Sequence, residues 1–344
     1  MAKSRELPPS LVRAGETIDH LITTDLSLRG AVQFLYHHAR ERSTLPLTLA
    51  AAVELIEGVE RAGTVFIATG WLDRPHISLE IAETDGPPGA VVLGRAVHRA
   101  FGAVPLFLVE ETLVSRMTPV VEAAGLKVLS ADAAVRSASS TAPIHGASVL
   151  AFPADVKEAR DRARELVDRY EPSAVIAVEK GGMNDKGIIC TSRGDDTSEH
   201  LAKADFLVRI ALRAGIPTIG IGDGGNEIGM GRIRDAIREG LPFGEVIAPA
   251  TETDHLVPAT VSNWGAYGVA ACLALLTGRR DVFHDAQMEE RILRRCADAG
   301  LIDGITGYVE EGADGLSRDA HKGMVVLLSE LIAAGLTKLT EGGS

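Results

Sequence analysis

Short apolar runs alternate with amphipathic segments along most of this chain. The runs Val65–Thr69, Val104–Val109, Lys127–Leu129, Val149–Phe152, Ala174–Val178 and Ile216–Ile221 are too short for helices and read as buried strands. Between them, apolar positions recur at helical spacing over Gly89–Phe101, Thr112–Ala124, Asp155–Arg169 and Ser198–Ala214. Two helices, Gly30–Arg40 and Thr48–Ala62, split by Pro46, precede the first strand. Met230–Arg238, Ser262–Leu276, Met288–Ala299 and Arg318–Ala334 follow the last. This β-α-β rhythm predicts an α/β fold: a mostly parallel sheet flanked by helices, with glycine-rich acidic loops at the carboxyl ends of the strands. Ser130–Ala147, rich in Ser and Ala, breaks the rhythm and reads as a connector or mobile loop. The expectation is one α/β domain over 1–344, with an N-terminal extension at 1–24, a sub-boundary near 130–147 and a frayed tail at 341–344.

Chemistry concentrates in loops after strands. Gly222 to Gly231 follows the run ending at Ile221 and packs five glycines with Asp223 and Glu227 into ten residues. Carboxylates at a strand exit call for a cation or a proton, and open α/β sheets bind ligands at that edge. Gly220, Gly222 and Gly225 also spell G-x-G-x-x-G, which raises a dinucleotide site and with it a nucleotide-binding oxidoreductase. Asp223 and Glu227 argue against it, because both would repel a pyrophosphate. A glycine turn without a ligand is the plainer alternative.

Three further segments repeat the theme. Glu83-Thr84-Asp85-Gly86-Pro87-Pro88-Gly89 places two acids before a stiff turn into a helix. Glu179 and Lys180 leave the strand Ala174–Val178, ahead of Gly181, Gly182 and Asn184. Asp303-Gly304-Ile305-Thr306-Gly307 is followed by Asp314-Gly315. Clustered carboxylates raise one another's pKa and need neutralising. A hard cation with oxygen ligands, Mg²⁺ or Mn²⁺, with Ca²⁺ as a further option, suits them; zinc does not, since these segments hold no His or Cys. Ser262 or Asn263 would cap the helix that begins there, or its N–H groups would take a substrate carboxylate. His255 beside Asp254 reads as a capping or surface pair before an acid–base one.

Composition narrows the partners. Net charge is −12, with no basic block, so no nucleic-acid partner is expected. No apolar run approaches ~20 residues, and no signal peptide, spanning helix or membrane partner is expected. The three cysteines, Cys190, Cys272 and Cys296, lack metal or disulfide spacing and fit a cytoplasmic location. A homo-oligomer acting on a small molecule completes this expectation.

Taken together, these segments resemble the D-glutamate cyclase C-terminal domain family. The matching pieces are Thr69-Gly70, Glu83 to Ala90, Glu179 to Gly182 with Asn184 and Gly187, Gly222 to Gly231, Ser262 to Ala266, and Asp303 to Gly307. The resemblance covers roughly residues 25 to 335. It implies an α/β hydro-lyase that turns D-glutamate, or a similar amino acid, into 5-oxo-D-proline and water, with a divalent cation in an acidic pocket. Longer members carry an additional N-terminal domain. For that chemistry, Asp85, Asp223 and Glu227 are the expected metal ligands. Glu179 is the expected base, with Glu83 as second choice. Lys180 and the N–H groups near Asn263 would hold the substrate α-carboxylate. Gly86, Asn184, Gly224, Gly225, Asn226 and Thr306 complete the expected substrate contacts. A non-catalytic binder of glutamate-like metabolites is the remaining alternative.

Overall fold

A computed structural model describes residues 7–341, except 27 and 29. Of the expected frayed tail at 341–344, Glu341 ends a helix, and 342–344, like the first residues of the extension, lie outside the described residues. In chain order the elements are α1 (Pro9–Ile22), α2 (Ala31–Arg40), α3 (Leu47–Gly58), β1 (Thr64–Thr69), α4 (Pro87–Phe101) and β2 (Val104–Val109). Next come α5 (Val114–Ala123), β3 (Lys127–Val128), α6 (Ala131–Ala138), β4 (Gly146–Ala151), α7 (Val156–Tyr170) and β5 (Ala174–Val178). The chain continues through α8 (Asp205–Ala214), β6 (Thr218–Gly222), α9 (Arg234–Gly240), α10 (Gly244–Ile247), β7 (His255–Pro258), α11 (Ser262–Thr277), α12 (Ala286–Asp298) and α13 (Arg318–Glu341).

The strands form one seven-stranded sheet in the order β3-β4-β2-β1-β5-β6-β7, and every pairing is parallel. The strands alternate between two cores. Val65 and Ile67 of β1 face the larger core with α3, α4 and α11, while Phe66 and Ala68 face the smaller one with α7 and α8. A strand buried on both faces has no polar alternation to show, which is why these elements read as unbroken apolar runs.

The sheet order positions the site. After β1 the chain moves to one side, to β2; after β5 it moves to the other, to β6. The crevice beyond the carboxyl ends of β1 and β5 is therefore the topological switch point, where open α/β sheets bind ligands. Register keeps the strand ends level: Thr69 pairs with Val178, Val178 with Ile221, and Gly222 with Pro258. The loops that follow all leave from one edge.

Several elements depart from expectation. Alpha1 forms inside the expected extension; its Asp19, fully buried, accepts from Leu47 N (2.6 Å), Thr48 N (3.1 Å) and Thr48 Oγ1 (2.6 Å) and so caps α3. The segment 130–147 is ordered: Ser130 Oγ accepts from Ala133 N (3.4 Å) to cap α6, and β4 starts at Gly146. Beta7 was hidden by its length. His255 sits at its start, pairing with Glu54 (3.2 Å), while Asp254 holds Thr218 (2.9 and 2.7 Å), both at the sheet edge away from the acids. Alpha13 outruns its expected end. Against the expectation of no spanning helix, its Arg318–Thr340 stretch is long and apolar enough to cross a membrane by length and composition. Its Met324, Val325, Leu328 and Ile332 are buried, and it packs against α1, α11 and α12.

Candidate active site

Two helices begin at the switch point and cap each other. Asp85 precedes α4, and its carboxylate accepts from the first N–H groups of α11, Ser262 N and Asn263 N (both 3.0 Å). Asn263 returns the arrangement: its Oδ1 accepts from Gly86 N (3.1 Å) and Gly89 N (2.7 Å) at the start of α4, and its Nδ2 donates to Thr84 O (3.3 Å). Both side chains are buried, so the orphan N–H groups of two helices are satisfied without water. Gly86 has φ +99°, and a Cβ there would meet Glu179 Cβ at 2.8 Å, so only glycine lets the two acidic loops approach. Removing Asn263's side chain should leave buried donors unpaired. We expect Asn263→Ala to cost about 2–4 kcal/mol of stability. Urea unfolding checks this, and a loss under ~0.5 kcal/mol would mean the cap is dispensable.

The glycine-rich loop after β6 folds back on itself. Glu227 is fully buried, and its carboxylate accepts from Asp223 N (2.8 Å), Gly224 N (2.5 Å) and Gly225 N (2.9 Å). These are the N–H groups a pyrophosphate would need, so the nest of the G-x-G-x-x-G loop is filled by the loop's own anion. Gly222 serves the same packing, since a Cβ there would lie 2.6 Å from Glu227 Cδ.

Around this loop the acids converge. Oxygens of Asp85, Asp223 and Asp314 lie within 4.8 Å of one another, as do those of Glu179, Asp223 and Glu227. Asp223 belongs to both groups. Glu179 has φ +45°, and its Oε2 accepts from Ser262 Oγ at 2.5 Å. Burial drives the Glu179 carboxyl well above the ordinary range, and Glu227, Asp85 and Glu83 add to the effect. Asp223 is raised by burial first, then by Asp314 and Glu179; Glu83 by burial, then Asp314 and Asp85. Asp85 is raised by burial and Asp314, against the pull of its three N–H donors. Glu83, Glu179, Asp223 and Asp314 line a cavity of about 1500 Å³.

The donor set fits a hard cation. Each of the two groups consists of carboxylate oxygens only, close enough to share one ion. The buried hydroxyls of Thr69 and Thr84, on the same loops, have no hydrogen-bond partner among the described residues. Asp314 was not among the expected ligands. Its signal was the Asp-Gly pair; its place comes from Asp303, whose Oδ1 accepts from Ile305 N and Thr306 N (2.8 Å each) and whose Oδ2 accepts from Gly315 N (2.6 Å). Ser262 was expected as a cap, not as a partner of Glu179.

Other expected contacts sit elsewhere. Lys180, expected to hold a substrate carboxylate, is buried and donates to Glu110 Oε1 (2.5 Å) and Gly70 O (2.8 Å). Its charge is spent on a carboxylate at the end of β2. The N–H groups of Ser262 and Asn263 are taken by Asp85. Asn184 clasps its own loop, accepting from Lys186 N and donating to Val246 O (both 2.9 Å). Thr306 is exposed and donates to Glu310 (2.6 Å). Gly225 N is bound by Glu227, whereas Gly224 and Asn226 do line the cavity. All three cysteines are buried and free.

Comparison with known proteins adds two findings. A family model described as D-glutamate cyclase-like, C-terminal, matches residues 18–329. The mitochondrial D-glutamate cyclase of Homo sapiens is 31% identical over 220 residues, which is 63% of this chain and 34% of that protein. The match thus spans about a third of the relative's own length.

Proposed function

The chain belongs to the D-glutamate cyclase-like, C-terminal family, and from that membership we propose that it converts D-glutamate to 5-oxo-D-proline and water with a divalent cation, Mg²⁺ or Mn²⁺. The observation that carries the reading is the pair of overlapping carboxylate groups sharing Asp223 at the switch point. Cyclisation joins the α-amine to the γ-carboxylate carbon and expels one carboxylate oxygen as water. The amine must give up protons, and the departing oxygen must gain them. A cation held by Asp223 with Asp85 and Asp314, or by Asp223 with Glu227, would supply Lewis-acid polarisation and neutralise the cluster.

Glu179 is the proton carrier in this scheme. It lies in the cavity wall, and its raised pKa brings it towards the working pH, as general acid–base catalysis favours. Ser262 Oγ fixes one of its oxygens, which leaves the other to take the ammonium proton and return it to the leaving oxygen. Glu83, on the neighbouring loop, is the second proton site. The filled nest after β6 speaks against the oxidoreductase alternative, because no free N–H cradle remains there for a pyrophosphate.

An NMR time course tests the proposal. The protein is incubated with D- and L-glutamate and with both 5-oxoproline enantiomers, with Mg²⁺, or with Mn²⁺ that is chelated before each spectrum. Conversion of D-glutamate that stops with chelator is expected. Binding without conversion would favour the metabolite binder, and neither binding nor conversion would end the assignment.

A further inference from the structure

An acidic cavity is a poor host for a dicarboxylate unless a cation awaits it. On the reading above, the ligand's ammonium and reacting γ-carboxylate belong at the acids. The α-carboxylate does not react and must be held elsewhere. Lys180 is committed to Glu110. The arginines in the cavity wall are Arg74 and Arg193. Arg74 pairs with Asp73 and donates to Gly304 O (3.3 Å). Arg193 makes no ion pair with any of the described residues, and its side chain is exposed.

The backbone around Arg193 is ordered by its own hydrogen bonds. Cys190 and Asp196 bridge in antiparallel fashion, and Thr191 N donates to Asp195 O (2.9 Å) while Gly194 N donates to Thr191 O (2.9 Å). Thr191 Oγ1 accepts from Arg193 N (3.3 Å) and Asp195 N (3.2 Å), fixing the tip. The neighbouring acids are occupied within the ribbon: Asp195 takes Thr191 Oγ1 (3.3 Å) and Asp196 takes Ser198 N (2.8 Å). At its base, the ribbon is tied to the acidic loop itself. Asn226, which lies between Asp223 and Glu227 in sequence and lines the cavity, donates Nδ2 to Cys190 O at 2.7 Å. One hydrogen bond thus ties the ribbon that carries Arg193 to the loop that carries Asp223 and Glu227.

We propose that Arg193 is the specificity-determining residue of this site, receiving the non-reacting α-carboxylate of the amino-acid substrate; this rests on the cyclase reading. A planar guanidinium takes a carboxylate by two parallel N–H bonds, which orients it as well as binding it. The remote contact fixes the chain so that the amine meets the γ-carboxylate carbon.

The test separates this contact from the rest of the site. Arg193→Gln should raise KM for D-glutamate about 10- to 100-fold, with kcat changed much less. Affinity for 5-oxoproline should fall by a similar factor. Affinity for pyrrolidin-2-one, the same ring without the carboxylate, should stay as in the wild type. Arg193→Lys should recover part of the loss. An unchanged KM and 5-oxoproline affinity would overturn the proposal while leaving the cyclase reading intact. Equal weakening of pyrrolidin-2-one would overturn it too, since the ribbon would then matter only for shape. A wild type that neither binds nor converts either amino-acid ligand would overturn both.

Discussion

Glu179→Gln is expected to lower turnover about 10²-fold or more, the scale of losing a general base, while the protein stays folded. The substitution keeps the shape and can still accept the Ser262 hydrogen bond, so the loop geometry should survive. It also removes one negative charge from a group crowded by Glu227, Asp85 and Glu83, so stability should hold or rise. KM should change little, because the amide removes proton transfer and leaves the carboxylate-binding contacts. Ser262→Ala gives a companion measurement. It should shift the pH profile of kcat, since Ser262 Oγ stabilises the charged form of Glu179 at 2.5 Å. Full activity in Glu179→Gln would move the proton-transfer role to Glu83.

Asp223→Asn is expected to abolish the stabilisation that a divalent cation gives the wild type. A ligand that binds only the folded state adds RT ln(1 + [L]/Kd), about 2.7 kcal/mol at a hundred times Kd. Asp223 is common to both carboxylate groups, so its loss should remove most of that gain. Without cation the variant should be at least as stable as the wild type, because a mutual repulsion is relieved. The pH dependence has a definite sign. Glu83, Asp85, Glu179 and Asp223 all have folded-state pKa values raised above their ordinary ones. The folded state therefore keeps protons that the unfolded chain releases. The stability from these groups is fully present below the unfolded carboxyl values near pH 4 and is lost as pH rises through the raised folded ones. In chelator, Tm should fall as pH climbs above the ordinary carboxyl range. Asp223→Asn should flatten that fall, and saturating Mg²⁺ should offset it in the wild type alone. A wild-type melting curve indifferent to Mg²⁺, Mn²⁺ and Ca²⁺ would mark the cluster as a buried acid network that binds no cation.

Much of the architecture was legible in the chain. Strands buried on both faces must be apolar throughout, and β1, β2 and β5 stand out for that reason alone. Glycine next to carboxylate after a strand carried the loops at Glu83–Asp85, Glu179 and Asp223–Glu227. Elements whose character depends on long-range partners were not legible. Alpha1 does carry its buried face, Leu11, Ile18 and Ile22, at helical spacing behind a polar, proline-bearing start, but that its Asp19 caps α3 could not be read, and β7 is four residues that pair with β6. Side-chain roles followed the same division. Sequence puts Lys180 beside Glu179, but the backbone turns at Glu179 (φ +45°) as β5 ends, and the lysine goes to Glu110 while the glutamate stays in the cavity wall. Asn263 and Asp85 are 178 positions apart, and only the crossing of α4 and α11 makes each the cap of the other's helix. The sequence alone determined the layered parallel fold and the acidity of its loops, because burial and turn formation act over a few residues. The tertiary structure decided which acids share a site, which N–H groups are already taken and which basic side chains line the cavity, because those depend on strand register and helix crossing, which no local pattern encodes.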